Sequence, residues 1–377
     1  LRKVEFFRHG IGEEELERLK GVFESLFITT GREVYEFEET LARYLGVPHS
    51  IAVTSCTAAM QLALLAGGLK PGDEVIVPTM TFVGTPNSVI MAGGTPVLVD
   101  SDRGTGNIDP AAAEAAVTGR TRAIMPVHLY GQMCDMDALR ALADLHGLFI
   151  VEDAAHALEG TWNGKRPGQI GEYATFSFYA TKNITCGEGG AVTAPDDEAY
   201  RRLKALRLHG FDQLAADRYT GRYRQYDVPA FGWKYNMDSI HAAILNEQMK
   251  KLPGWEARRS WILERYMEAF GAMDRVELHT IRPEAKHAAH LLTILVDPAR
   301  RGAIMAGLQE RGVGVSINFT PVHLMTLYRE RFGYTEGMFP AAEDIGARTI
   351  SLPLYPKLTD DEVEYVIESV RAAVASA

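Results

Sequence analysis

The stretch Phe149-Ile-Val-Glu-Asp-Ala-Ala-His156 decides how this chain is read. An apolar run of strand length ends in two acids and, three residues after Asp153, a histidine. Open α/β sheets place ligand contacts at the carboxyl ends of their strands, so Asp153 stands where a bound group would be met. The bland alternative is an N-cap before Ala-Ala-His-Ala-Leu. Just downstream, Tyr173-Ala-Thr-Phe-Ser-Phe-Tyr-Ala-Thr-Lys-Asn-Ile-Thr-Cys-Gly-Glu-Gly-Gly190 carries one amine, Lys182, out of a strand-like stretch into a glycine-rich turn. Only a neutral amine is nucleophilic, and burial lowers a lysine's pKa toward neutrality, so Lys182 in that setting is a candidate for attachment to a carbonyl.

Upstream, Ser50-Ile-Ala-Val-Thr-Ser-Cys-Thr-Ala-Ala-Met-Gln-Leu-Ala-Leu64 reads as a short strand, a group of small hydroxyl residues and a helix. Free amides and the dipole at such a helix start favour a dianionic phosphate. Ser55, Cys56 and Thr57 lie at that start, and Ser177 can reach it from the later strand. Alone the segment is also an ordinary cap. A lysine for the aldehyde, a carboxylate for the ring nitrogen and a phosphate cradle are together what pyridoxal phosphate requires of a protein.

The rest of the chain fits that reading. At 377 residues and 46% hydrophobic it can bury a large core and divide into two domains. A net charge of -10 argues against a nucleic-acid or membrane partner. Cys56, Cys134 and Cys186 have no metal-ligand spacing, so no metal is expected, and they suit a reducing cytoplasm. Leu1–His9 holds no signal-peptide apolar region, and a first residue other than methionine points to a trimmed start. Apolar runs at 50–54, 74–78, 95–100, 122–129 and 149–153 alternate with helical stretches, which predicts an α/β fold with a mostly parallel sheet covered on both faces. Runs at 175–178 and 190–194 follow closely enough for an antiparallel portion. Helices over 237–251 and 255–270, joined through Leu252-Pro-Gly254, mark the expected division into a large domain (1–252) and a smaller C-terminal α/β domain (253–377), the latter including runs at 290–297, 300–311, 314–319 and 359–375. Between them, Arg218, Arg222 and Arg224 interleave with Tyr219, Tyr223 and Tyr226. That pattern fits an arm over a diphosphate and a base, or equally a solvated loop.

The chain resembles, essentially end to end, the DegT/DnrJ/EryC1/StrS sugar aminotransferases, pyridoxal phosphate enzymes of the aspartate aminotransferase fold (fold type I). The resemblance rests on Phe27-Ile-Thr-Thr-Gly31, Thr54-Ser-Cys-Thr-Ala58, Pro78-Thr-Met-Thr-Phe82, Val127-His-Leu-Tyr-Gly131, Glu152-Asp-Ala-Ala-His156, Phe176-Ser-Phe-Tyr-Ala-Thr-Lys-Asn183, Gly187-Glu-Gly-Gly190 and Gly232-Trp-Lys-Tyr-Asn-Met237. Within the family it is most similar to the UDP-4-amino-4-deoxy-L-arabinose aminotransferase group and relatives acting at the sugar 4-position. The resemblance implies that Lys182 is the Schiff-base lysine, that Asp153 pairs with the pyridine nitrogen, that Phe82 stacks on the cofactor and that His156 stands near its phenolic oxygen. It further implies that Ser55, Cys56, Thr57, Ser177 and, from a neighbouring subunit, Asn236 surround the phosphate, and that Thr30, Lys234 and His323 face substrate. The implied unit is a homodimer with shared sites. The implied reaction moves the amino group of L-glutamate, leaving 2-oxoglutarate, to the 4-keto group of a nucleotide-linked sugar, in lipopolysaccharide or lipid A modification. A 3-ketosugar or keto-inositol aminotransferase and a non-catalytic pyridoxal phosphate-binding regulatory protein are the alternatives.

Overall fold

The computed structural model describes residues 2–211, 225 and 227–377. The arginines and tyrosines singled out between 218 and 226 lie outside the described residues. Strands alternate with helices through the first half: β1 (His49–Val53), β2 (Glu74–Pro78), β3 (Thr95–Val99), β4 (Thr121–Ile124), β5 (Phe149–Asp153), β6 (Thr161–Trp162), β7 (Tyr173–Ser177) and β8 (Gly190–Ala194). Later come β9 (Glu277–Leu278), β10 (Ala285–Lys286), β11 (Leu292–Leu295) and β12 (Thr349–Leu352). Seven of these form one sheet in the order β1-β8-β7-β5-β4-β2-β3. Its pairings are parallel except those of β8, which runs antiparallel to both β1 and β7. The fold is therefore α/β with a mostly parallel sheet, as the alternation of apolar runs predicts.

Helices cover the sheet because each buries an apolar stripe. Helix α1 (Glu13–Glu24) precedes α2 (Arg32–Leu45), which turns Val34, Phe37, Leu41 and Leu45 inward at helical spacing and ends on Gly46 in the left-handed conformation. Helix α3 (Cys56–Ala66) is apolar nearly all round and lies buried at the centre, and α4 (Gly84–Met91) follows β2. A second core, holding Val4, Ile262, Phe270, Ile294, Leu308 and Val366, forms around the three-stranded sheet β12-β11-β9.

Two local expectations are corrected, and one helix is new. Pro253 does not separate two helices: one helix runs from Ser239 to Gly271. A proline in a helix interior loses one hydrogen bond, but Leu252 beside it is fully buried and the helix packs along α1 and α2, so tertiary burial outweighs the local penalty. Residues 314–319, expected as a regular run of the smaller domain, form no strand: Ser316 makes an isolated bridge to Ser351 on β12, and the Gly314 amide donates to Val4 O. Helix α4 carries no amphipathic stripe, since both of its faces are largely covered, and the apolar pattern did not reveal it. No helix among the described residues is long and apolar enough to cross a membrane.

Candidate active site

The carboxyl ends of β5 and β7, the start of α3 and the turn after β7 enclose a cavity of about 520 Å3. Ser55, Cys56, Thr57, Phe82, Asp153, His156, Ser177 and Lys182 all line it. Sequence reasoning thus assembled one site from segments spread over more than a hundred residues.

Each side chain is placed by local structure. Ser55 caps α3 by accepting from the Ala58 amide at 3.1 Å, while the Cys56 and Thr57 amides, in the first turn beside the cavity, have no carbonyl within the helix to donate to. Strand β8 begins so close to this turn that a Cβ on Gly190 would sit 2.3 Å from the Ser55 carbonyl carbon, so glycine is required there. Asp153, at the end of β5, accepts from Thr85 Oγ1 through Oδ2 at 2.8 Å and from the Ala155 amide through Oδ1 at 3.1 Å. Thr81 Oγ1 lies 2.8 Å from Thr85 Oγ1, and because Thr85 donates to the carboxylate, Thr81 donates to Thr85. Burial pushes the Asp153 pKa up, while Thr85 and the Ala155 amide hold it down.

Lys182 lies in a turn whose backbone is fixed by its own amide donating to Tyr179 O at 2.9 Å. Burial lowers its pKa to about 8, against the attraction of Asp153, so a minority of the amine is neutral near physiological pH, far more than for an unhindered lysine. His156 accepts from the Tyr130 amide through Nδ1 at 3.2 Å, which leaves its proton on Nε2. Burial and Lys182 hold it well below the usual histidine range, so it stays neutral. Phe82 is 60% exposed at the mouth, its ring 6.1 Å from that of Phe319.

Thr30, Lys234, Asn236 and His323 do not line this cavity. Asn236 donates to Thr30 Oγ1 at 2.8 Å and pairs with the Lys234 ammonium, in a segment bridged to the end of β1. His323 is fully buried, with Nδ1 2.8 Å from Thr79 Oγ1 and Nε2 2.9 Å from Glu343. Cavity residues the sequence did not suggest include Thr85, His290 and Phe319. No local motif signals them, because each arrives from another element of the fold.

Three comparisons bear on this arrangement. The DegT/DnrJ/EryC1/StrS aminotransferase family matches residues 9–371. The spore coat polysaccharide biosynthesis protein SpsC of Bacillus subtilis is 44% identical over 97% of this chain and 96% of its own length. The putative sugar aminotransferase Spr1654 of Streptococcus pneumoniae, in its PMP form, superposes with a TM-score of 0.93 at 31% identity, over 99% of this chain and 100% of that one. DesV of S. venezuelae, solved with a ketimine intermediate, superposes with a TM-score of 0.88 at 36% identity, over 95% and 94% of the two chains. The residues that line the cavity suit the cofactor: amides at a helix start, a buried carboxylate and a lysine of lowered pKa. The chain belongs to the DegT/DnrJ/EryC1/StrS aminotransferases, sugar aminotransferases whose cofactor is pyridoxal 5′-phosphate.

Proposed function

We propose that this protein transfers the amino group of L-glutamate to the 4-keto carbon of a nucleotide-linked sugar, a 4-ketopentose or a 4-keto-6-deoxy sugar. The observation that carries the amino-transfer step is Lys182 in the cavity wall, its pKa brought down to about 8 with Asp153 close enough to act on it electrostatically. When bound, the cofactor supplies a carbonyl for the amino group and an electron sink for the carbanion. Lys182 would hold it through its amine, and its Nζ, when free, would carry a proton to and from the substrate carbon. The Asp153 carboxylate keeps the ring nitrogen protonated, a role its acceptor-only chemistry suits. The α3 amides with Ser55, Cys56, Thr57 and Ser177 would hold its phosphate, Phe82 would pack on its ring, and the Nε2–H of His156 would be available to its phenolic oxygen.

Asn236, Lys234 and Thr30 serve the partner's site in a homodimer, a reading supported by their grouping outside their own chain's cavity and by the exposed apolar residues Phe23, Leu26 and Phe231. His323 supports the sugar end through Thr79 and Glu343. The 4-keto preference is supported by the Glu-Asp-Ala-Ala-His and Gly-Trp-Lys-Tyr-Asn segments, and a sugar fated for a polysaccharide by the naming of SpsC for spore coat polysaccharide biosynthesis.

The test is the second half-reaction. Enzyme carrying pyridoxamine phosphate is offered nucleotide-linked 4-ketosugars, 3-ketosugars and free keto-inositol, and return of the aldehyde form's absorbance is followed. A nucleotide-linked 4-ketosugar should restore it fastest. Preference for the free cyclitol would reject this substrate, and failure of glutamate to generate the amine form at all would favour a non-catalytic protein.

A further inference from the structure

Behind the lysine loop lies a buried polar chain that begins on the long helix and ends in the cavity. Arg259 is paired with Glu159, both inaccessible to solvent. Asn183, the residue after Lys182, donates both amide hydrogens: to Glu159 Oε2 at 2.8 Å and to Ala288 O at 3.1 Å. Its Oδ1 is therefore an acceptor, and it receives Nδ1–H of His290 at 2.9 Å. His290 lines the cavity, and its ring lies 4.3 Å from that of His156.

We infer that His290 is a positioning residue for Lys182, holding the lysine loop through Asn183 and bracing His156 across the same wall. The amide geometry fixes its tautomer: the proton sits on Nδ1, and Nε2 keeps a lone pair. His156 has the opposite tautomer, so the two rings, tilted 34° to each other, are both neutral. Burial, and after it His156, Lys182, Arg259 and His287, all oppose a positive charge on His290. Without the bond to Asn183, one of the side-chain anchors beside the reactive amine is gone, and small misplacement of a reacting group is costly.

His290→Phe keeps the ring and removes the donor, while His290→Asn places an amide nitrogen where Nδ1 stood. The pH titration of the resting holoenzyme's visible absorption, taken without substrate, reports the Lys182 attachment directly. His290→Phe should shift that titration and slow the glutamate half-reaction about tenfold or more at saturating glutamate, with the glutamate concentration for half-saturation little changed. His290→Asn should restore most of both. A wild-type titration and rate in His290→Phe, or a lowered melting temperature with neither altered, overturns the assignment. Should that variant not fold, Asn183→Leu removes the same bond from its other end, and a wild-type titration there overturns it equally. Only glutamate is used, so the outcome does not depend on which ketosugar is the acceptor.

Discussion

Glu152 and Asp153 are adjacent on β5 and both are buried, yet they face opposite sides of the sheet and have opposite uses. Glu152 spends its carboxylate on the protein: Oε2 accepts from His128 Nε2 at 2.8 Å, and Oε1 accepts from the amides of Gly168 and Gly171 at 2.9 Å each. His128 is held in the donating tautomer because its Nδ1 accepts from the Cys134 amide at 3.2 Å. Asp153 has weaker support, from Thr85 Oγ1, the Ala155 amide and the thiol of Cys56, a poor donor at 3.9 Å, and it lines the cavity that Lys182 also lines. Burial does not distinguish a structural acid from a working one. What distinguishes them is the hydrogen-bonding capacity left over.

The largest expected effect follows from removing the acid on the cavity side. Asp153→Ala should lower turnover on the order of 10³-fold while the fold survives, because the group lost is an electrostatic partner of the reaction rather than a prop of the sheet. Single-turnover kinetics with glutamate, alongside a thermal melt, would check it; undiminished turnover would remove Asp153 from the mechanism. Glu152→Ala should do the reverse. It strands the His128 N–H and two glycine amides in the interior, a loss of about 3 kcal/mol of folding stability in urea titration, with the surviving folded enzyme turning over within a few-fold of wild type.

That contrast also marks how far the sequence can be read. The period of two along Phe149–Asp153 says that the two acids face apart, but not which face is the cavity; that depends on where α3, α4 and the Lys182 turn settle. The lysine, the acid and the hydroxyl-rich helix start were legible because each depends on a local pattern: a strand end, a glycine turn, a cap. Thr85, His290 and the pair Glu159 and Arg259 were not legible, since their partners are 24 to 107 residues away and no periodicity links them. The continuous helix through Pro253 was misread for the same reason, local propensity yielding to burial.

The acid also controls the amine. Asp153 opposes the burial that lowers Lys182, so its removal should bring the amine below about 8, whereas Glu152→Ala should leave it in place. In cofactor-free protein, uptake of pyridoxal phosphate by the neutral amine should rise as pH increases through about 8, and Asp153→Ala should move that rise to lower pH. The sign carries over to stability: the folded pKa lies below the 10.5 of an unhindered lysine, so the unfolded chain binds more protons between those values. The Lys182 contribution to stability must therefore grow with pH across that window. An uptake curve that is flat through about 8 would contradict the lowered pKa.

The smallest effect expected is from a residue that gives Asp153 one hydrogen bond. Thr85 donates to Oδ2 and is itself held by Thr81, so Thr85→Val removes one hydrogen bond to the carboxylate while filling nearly the same space. A hydrogen bond to a charged group is worth about 1.5 kcal/mol at the low end, which corresponds to roughly a tenfold loss in rate. The direction with pH is more telling than the size. That bond lowers the Asp153 pKa against burial, so its loss should raise the pKa further and shift the acid limb of the glutamate half-reaction to higher pH. Glu152 has no part in this limb. A tenfold loss without the shift would mean that Thr85 shapes the cavity rather than the charge of Asp153, and that the surplus capacity of the carboxylate is not what separates it from its neighbour.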